Sequence, residues 1–249
     1  MLALLSACAK RYDDAATMPA VGVGRMNLAP TETVDNATSD VPDVPKNGIT
    51  VCVDPGHGFA DPGTASEFLG DLTEKDINFD VAVYLRDALE ALGYTVIMTH
   101  DGESFPITSA YDNNERYKPE ERVAYVNSLD TKIDYYISIH CNSHTSEDAV
   151  GTRIFYYEKT TPVGDYDEEI TNSVAESIGN AFPDARSPVV EKYHYYVVKF
   201  TNFPASLVEI GFVTNPDEAK NMIDPEWQKK YAEAIAEGID NYFTENKTN

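Results

Sequence analysis

From residue 48 onward, apolar residues gather in compact blocks separated by polar, turn-rich segments. Gly48-Ile-Thr-Val-Cys-Val53 is a short, largely apolar run closed by Asp-Pro-Gly, the pattern of a buried strand. Thr73-Glu-Lys-Asp76 reads as a capping box, a Thr N-cap with an acid three residues later. Behind it, Ile77, Val81, Leu85, Ala88, Leu89 and Leu92 recur at helical spacing, and Gly93 suits a C-cap. The pattern goes on to predict strands over 94–98, 134–139, 151–157, 195–200 and 206–210, and helices over 120–129, 167–181 and 226–243. Strands alternating with helices imply a single α/β domain, a largely parallel twisted sheet with helices on both faces. Ligands in such sheets bind outside the carboxyl ends of the strands.

The first 47 residues follow other rules. Met1-Leu-Ala-Leu-Leu-Ser-Ala-Cys8 is short and apolar, and its last four residues resemble the lipobox of bacterial lipoprotein precursors. No Lys or Arg precedes it and the apolar run is brief, so the expectation is a truncated signal over 1–8, whose true start would lie upstream. Residues 9–47, dominated by Ala, Thr, Asp, Pro, Val and Asn, cannot bury enough apolar surface to offset chain entropy. They are expected to form a disordered tether between a lipid anchor at Cys8 and a catalytic domain over 48–249.

A net charge of −23 offers no basic footprint for phosphates, so nucleic acid is excluded as a partner, as is electrostatic docking on an anionic membrane. Cys52 and Cys141 fall in or beside apolar runs and read as buried thiols rather than a disulfide.

The chemistry lies at the ends of the apolar blocks. His57 follows the first strand between two glycines, which leave its imidazole uncrowded. Glu74 opens the following helix, His140 ends Tyr135-Tyr-Ile-Ser-Ile139, and Glu209 sits between Leu207-Val and Ile-Gly-Phe. A polar residue in such apolar surroundings needs a partner or a task. The topology gathers all four at one sheet edge. Two His and one Glu are a ligand set for catalytic zinc with one position open, and a further carboxylate serves as the general base of a zinc hydrolase.

These segments resemble the zinc-dependent N-acetylmuramoyl-L-alanine amidases of the amidase-3 family. The likeness runs from Gly48 to Tyr242. Its motifs are Asp54-Pro-Gly-His-Gly58, Asp61-Pro-Gly63, Glu74-Lys-Asp-Ile-Asn78, Glu121-Arg-Val-Ala-Tyr-Val-Asn127, Ile137-Ser-Ile-His-Cys-Asn-Ser143, Asn202-Phe-Pro-Ala-Ser-Leu-Val-Glu-Ile-Gly-Phe-Val-Thr-Asn215 and Ala234-Ile-Ala-Glu-Gly-Ile239. The resemblance implies that His57, Glu74 and His140 hold Zn2+, that Glu209 is catalytic, and that the substrate is peptidoglycan, cut between N-acetylmuramic acid and L-alanine. With the lipid anchor expected at Cys8, it puts the domain outside the cytoplasm in the cell envelope; the oligomeric state is left open, with a monomer as the expectation. His100 departs from the family's usual Arg, and the long segment 102–118 is expected to shape one rim of the cleft. Asn142 is a candidate for orienting substrate, Arg122 for a structural helix residue, and His144 and His194 for surface or rim residues. Tyr193-His-Tyr-Tyr196 is expected in a half-buried strand. Two other readings stay open: a different zinc peptidase acting on wall peptides, and a catalytically silent wall-binding module.

Overall fold

The computed structural model describes residues 47–102 and 118–246; the expected signal over 1–8, nearly all of the expected tether over 9–47 and most of the segment 102–118 lie outside them. The chain runs β1 (Thr50–Pro55), α1 (Glu74–Ala91), β2 (Thr95–Met98), α2 (Pro119–Ser128), β3 (Tyr135–Asn142), β4 (Arg153–Tyr156), α3 (Asp167–Ala181), β5 (Val189–Lys192), α4 (Tyr196–Phe200), β6 (Ala205–Phe212), α5 (Pro216–Met222) and α6 (Pro225–Asn246). The strands form a six-stranded sheet in the order β2-β1-β3-β6-β4-β5. Every pairing is parallel except β4 with β6. This is the expected α/β domain with a largely parallel sheet.

Both faces are covered, and the alternation of side chains along the central strands shows how. Val51 and Val53 of β1, Tyr135, Ile137 and Ile139 of β3, and Val208 and Ile210 of β6 pack with α1, α3 and α6. The residues between them, Cys52, Tyr136 and Leu207, belong to a second core with Val123 and Val126 of α2 and Val197 and Val198 of α4. The central strands are buried on both faces, which is why they read as apolar blocks rather than as polar–apolar alternation. The α1 N-terminus forms as its capping box predicts: the Asp76 carboxylate accepts from the Thr73 N–H and hydroxyl, each at 2.8 Å.

One predicted strand is corrected. Tyr195–Phe200 was expected to be extended because it is rich in aromatic and β-branched residues, but Tyr196–Phe200 is the short helix α4. Val197 and Val198 are consecutive and both buried in the second core, an arrangement that a strand, with its alternating faces, cannot give. The sheet position beside β4 is taken instead by β5, whose Val-Val-Glu-Lys sequence carries too weak an apolar signal to stand out. Tyr193, His194 and Tyr195 therefore lie in the connection between β5 and α4, not in a strand. Tyr193 and Tyr195 pack edge-on against Phe155, with ring centroids 5.9 and 5.0 Å away.

Candidate active site

The end of β1 is fixed by a buried ion pair. Asp54 is fully buried and accepts from Thr99 Oγ1 at 2.6 Å and Ser138 Oγ at 2.7 Å. Arg122 of α2, also buried, places Nη1 3.2 Å from Asp54 Oδ2. Burial alone would raise the Asp54 pKa, but Arg122 and the hydroxyls hold it below the usual carboxylate range. Arg122 is thus structural, as expected.

Past this anchor the chain turns sharply. His57 adopts φ 64°, a left-handed conformation uncommon for a residue with a Cβ. The turn is closed by reciprocal 2.9 Å hydrogen bonds between the backbones of Gly58 and Asp61. It also brings the Asp61 carboxylate to 3.0 Å from His57 Nδ1, so the other ring nitrogen, Nε2, faces Glu74 at 3.1 Å. The Asp61 role was not read from the sequence; a carboxylate four residues after a histidine in a Gly/Pro loop was the available signal.

Glu74 is the first residue of α1, and its side chain turns in over the sheet edge. Its Oε1 lies 3.1 Å from His140 Nδ1 and accepts from the Cys141 N–H at 3.2 Å, while Oε2 accepts from the Thr64 N–H at 2.8 Å. Gly56 makes room for His140: a Cβ on it would lie 2.3 Å from the imidazole. Gly63, at φ +65°, is likewise pressed against His57 and Glu74. The candidate donor atoms of His57, Glu74 and His140 all lie within 4.8 Å of one another.

Charge follows from this geometry. Burial disfavours the His57 cation, but carboxylates at both ring nitrogens overcome it and raise the pKa to about 9. Glu74 is pushed the other way: burial opposes its ionisation, yet hydrogen bonds from His140 and His57 hold its pKa well below the ordinary value. For His140 burial dominates and lowers the pKa, with the Glu74 hydrogen bond only partly offsetting it. Two imidazoles and a carboxylate, converging at a sheet edge and braced from behind, are a donor set that suits a divalent cation of the zinc type.

Glu209 is the direct register partner of His140 across the parallel β3–β6 pair. It is buried, and its Oε2 has no hydrogen-bond partner among the described residues. Burial first, then the neighbouring Glu74 charge, raises its pKa to about 8, with His57 pulling the other way. An unpartnered carboxyl group buried beside the donor cluster makes Glu209 a candidate functional group.

Residues 51–241 match the family described as N-acetylmuramoyl-L-alanine amidase. The chain belongs to the amidase-3 family. A germination-specific N-acetylmuramoyl-L-alanine amidase of Bacillus subtilis is 31% identical over 205 residues, covering 81% of this chain and 83% of that one. The crystal structure of an N-acetylmuramoyl-L-alanine amidase from Clostridium difficile 630 superposes with a TM-score of 0.68 at 28% identity, over 80% of this chain and 98% of that one. The amidase AmiC2 of Nostoc punctiforme gives a TM-score of 0.66 at 26% identity, over 80% and 99%. The expected family and fold are both met, and N-acetylmuramoyl-L-alanine amidase activity is what the family's description names.

The remaining candidates in this amidase fall outside the cluster. His100 is buried against the Pro55 carbonyl, 3.2 Å from Nε2, and stacks on Phe79, a packing role behind the His57 turn. Asn142 accepts from the Ser143 N–H at 2.8 Å and so shapes its own turn. His144 and His194 are exposed. Lys199 lies over the Tyr157 and Phe200 rings. Cys52 and Cys141 are buried thiols, as expected.

Proposed function

We propose that this amidase is a zinc enzyme in which His57, Glu74 and His140 hold Zn2+ and Glu209 moves the proton. The bond cut is the amide between the lactyl group of N-acetylmuramic acid and L-alanine. The observation that carries the reading is the unpartnered Glu209 carboxyl group, buried on the strand next to the His140 ligand and beside the donor cluster. Bound zinc supplies Lewis acidity, which acidifies water and polarises a carbonyl.

The chain's own residues do the rest. Asp61 holds the His57 ring through Nδ1 and so presents Nε2 to the metal position. The Cys141 and Thr64 N–H groups orient the Glu74 carboxylate. Glu209 takes a proton from the attacking water and delivers it to the departing alanine nitrogen, without which the amide would not expel an amine. A raised pKa suits a group that must act as base and then as acid.

The test is digestion of a soluble muropeptide followed by mass spectrometry. Release of the intact stem peptide with a free L-alanine amine supports the reading. Trimmed stems with the muramoyl bond intact would indicate a wall peptidase, and binding without products a silent module.

The same reading places the enzyme outside the cytoplasm as a monomer, tethered by a lipid on Cys8. No described helix is long and apolar enough to cross a membrane. Recovery from the cytosol with an unmodified Cys8, on fractionation of cells expressing the full gene, would overturn the anchor.

A further inference from the structure

The strand beside β6 in the sheet is β4, and its first residue is an arginine. Arg153 is the direct partner of Glu209 across the antiparallel β4–β6 pair. Directly opposed residues of such a pair present their side chains on one face. The next pair on that face, two residues along, is Phe155 with Leu207, and it identifies the face, since both lie in the second core. His140 is the partner of Glu209 from the other side. A ligand, a catalytic carboxyl group and a guanidinium therefore stand in a row on three adjacent strands.

The guanidinium leans outward, away from Glu209. Its Nη1 lies 3.0 Å from Glu191 Oε1 on β5. Both side chains of this ion pair are well exposed, at 36% and 41%, so it contributes little to stability and either partner can be exchanged. Glu191 engages one of the five guanidinium N–H donors. The chain carries 19 basic against 42 acidic residues, and its site adds Glu74 and Glu209. A cation held open beside the catalytic group is thus suited to an anionic part of the substrate.

The spacing says which part. Neighbouring strands lie ~4.8 Å apart, so the guanidinium, reaching over β4 toward β5, sits roughly 5–10 Å from Glu209. A peptide residue spans ~3.5 Å. With the muramoyl–alanine amide at Glu209, a carboxylate on the second residue of the stem would lie about 7 Å further along. We infer that Arg153 is a specificity-determining residue that receives the free carboxylate of the second stem residue, exchanging Glu191 for it. This rests on the amidase reading above.

The experiment compares two soluble muropeptides that differ only at that carboxylate, free in one and a carboxamide in the other. Steady-state kinetics are measured for the zinc-loaded wild type, Arg153→Gln, Arg153→Lys and Glu191→Gln. Arg153→Gln should raise KM about tenfold for the acid, leave its kcat within about twofold, and change little for the carboxamide, the scale of one charge-assisted hydrogen bond. Arg153→Lys should keep part of the preference. Glu191→Gln, which removes the competing anion but keeps the cation, should leave KM for the acid unchanged or lower. Equal losses on both substrates, or parallel losses in Arg153→Gln and Glu191→Gln, would mean that the pair merely braces β4 and β5, and would overturn the inference alone. Failure of the wild type to cleave either substrate would overturn the amidase reading and the inference with it.

Discussion

Replacing Arg122 with Met isolates the anchor beneath the site. The Asp54 carboxylate would remain fully buried, with neutral hydroxyls such as those of Thr99 and Ser138 and no cation as its partners among the described residues. Removing one member of a buried ion pair costs ~3–5 kcal/mol. A second route to the number is the cost of neutralising Asp54 instead: with an ordinary pKa of ~3.9, protonation at pH 7 takes ~4 kcal/mol at ~1.36 kcal/mol per unit. The two agree, and they are a large share of the ~5–15 kcal/mol that holds a domain folded. The sign with pH is also fixed. In the wild type the Asp54 pKa lies below its unfolded value, so its contribution is complete above that unfolded value and is lost as pH falls through the folded one. In Arg122→Met burial is no longer countered, the folded pKa rises above the unfolded one, and the deficit shrinks as the medium is acidified. Between pH 7 and pH 5 it should narrow by up to ~2.7 kcal/mol. Urea unfolding of both proteins in chelator, so that metal linkage does not enter, reads this directly. Asp54→Asn/Arg122→Met should recover most of the loss. A deficit under ~1 kcal/mol would refute the buried-charge argument, and one that is equal at the two pH values would mean Arg122 acts through packing.

Three further outcomes follow from the site. Metal-free Glu209 keeps its proton up to about pH 8, whereas the unfolded chain releases it near ~4.3, so stability should fall as pH rises across that window; Glu209→Gln should flatten the fall and leave only the part that His57, raised to about 9, contributes above its unfolded value, and the same change in urea midpoint from pH 5 to pH 8 in wild type and variant would contradict this. Gly56→Ala places a Cβ 2.3 Å from the His140 ring and should abolish stable metal binding, whereas Gly179→Ala in α3, which meets only Pro188 Cδ at 3.5 Å, should be neutral or stabilising by up to ~1 kcal/mol; equal metal content and melting in the two would refute the cradle. Asp61→Asn should weaken metal affinity ~10- to 100-fold by loosening His57, and an unchanged dissociation constant in a competition titration would remove Asp61 from the support.

The site was legible because the strands that carry it are buried on both faces. Apolar blocks such as Tyr135–Ile139 and Leu207–Val208 located β3 and β6, and a polar residue at the end of each stood out against them. Parallel topology then required His57, His140 and Glu209 to share an edge. What failed was local and weakly patterned. β5 is a four-residue outer strand with two charged positions, and α4 is a five-residue helix written in strand-forming residues whose conformation is set by the second core. Contacts across long separations were equally silent. Nothing in the sequence couples Asp54 to Arg122, 68 residues away, and the Arg153–Glu191 pair depends on a strand that was not foreseen.

The central claim is that metal binding and proton transfer belong to different residues. Zinc content by elemental analysis and turnover on a soluble muropeptide, measured together on His57→Ala, Glu74→Ala, His140→Ala and Glu209→Gln, test it most directly. The first three should lose or weaken zinc, since two remaining protein ligands rarely hold the ion. Glu209→Gln should retain wild-type zinc and fold while turnover drops ~10²-fold or more, the scale of a lost general base. Equal zinc content in all four variants, or near-normal turnover in Glu209→Gln, would contradict the account.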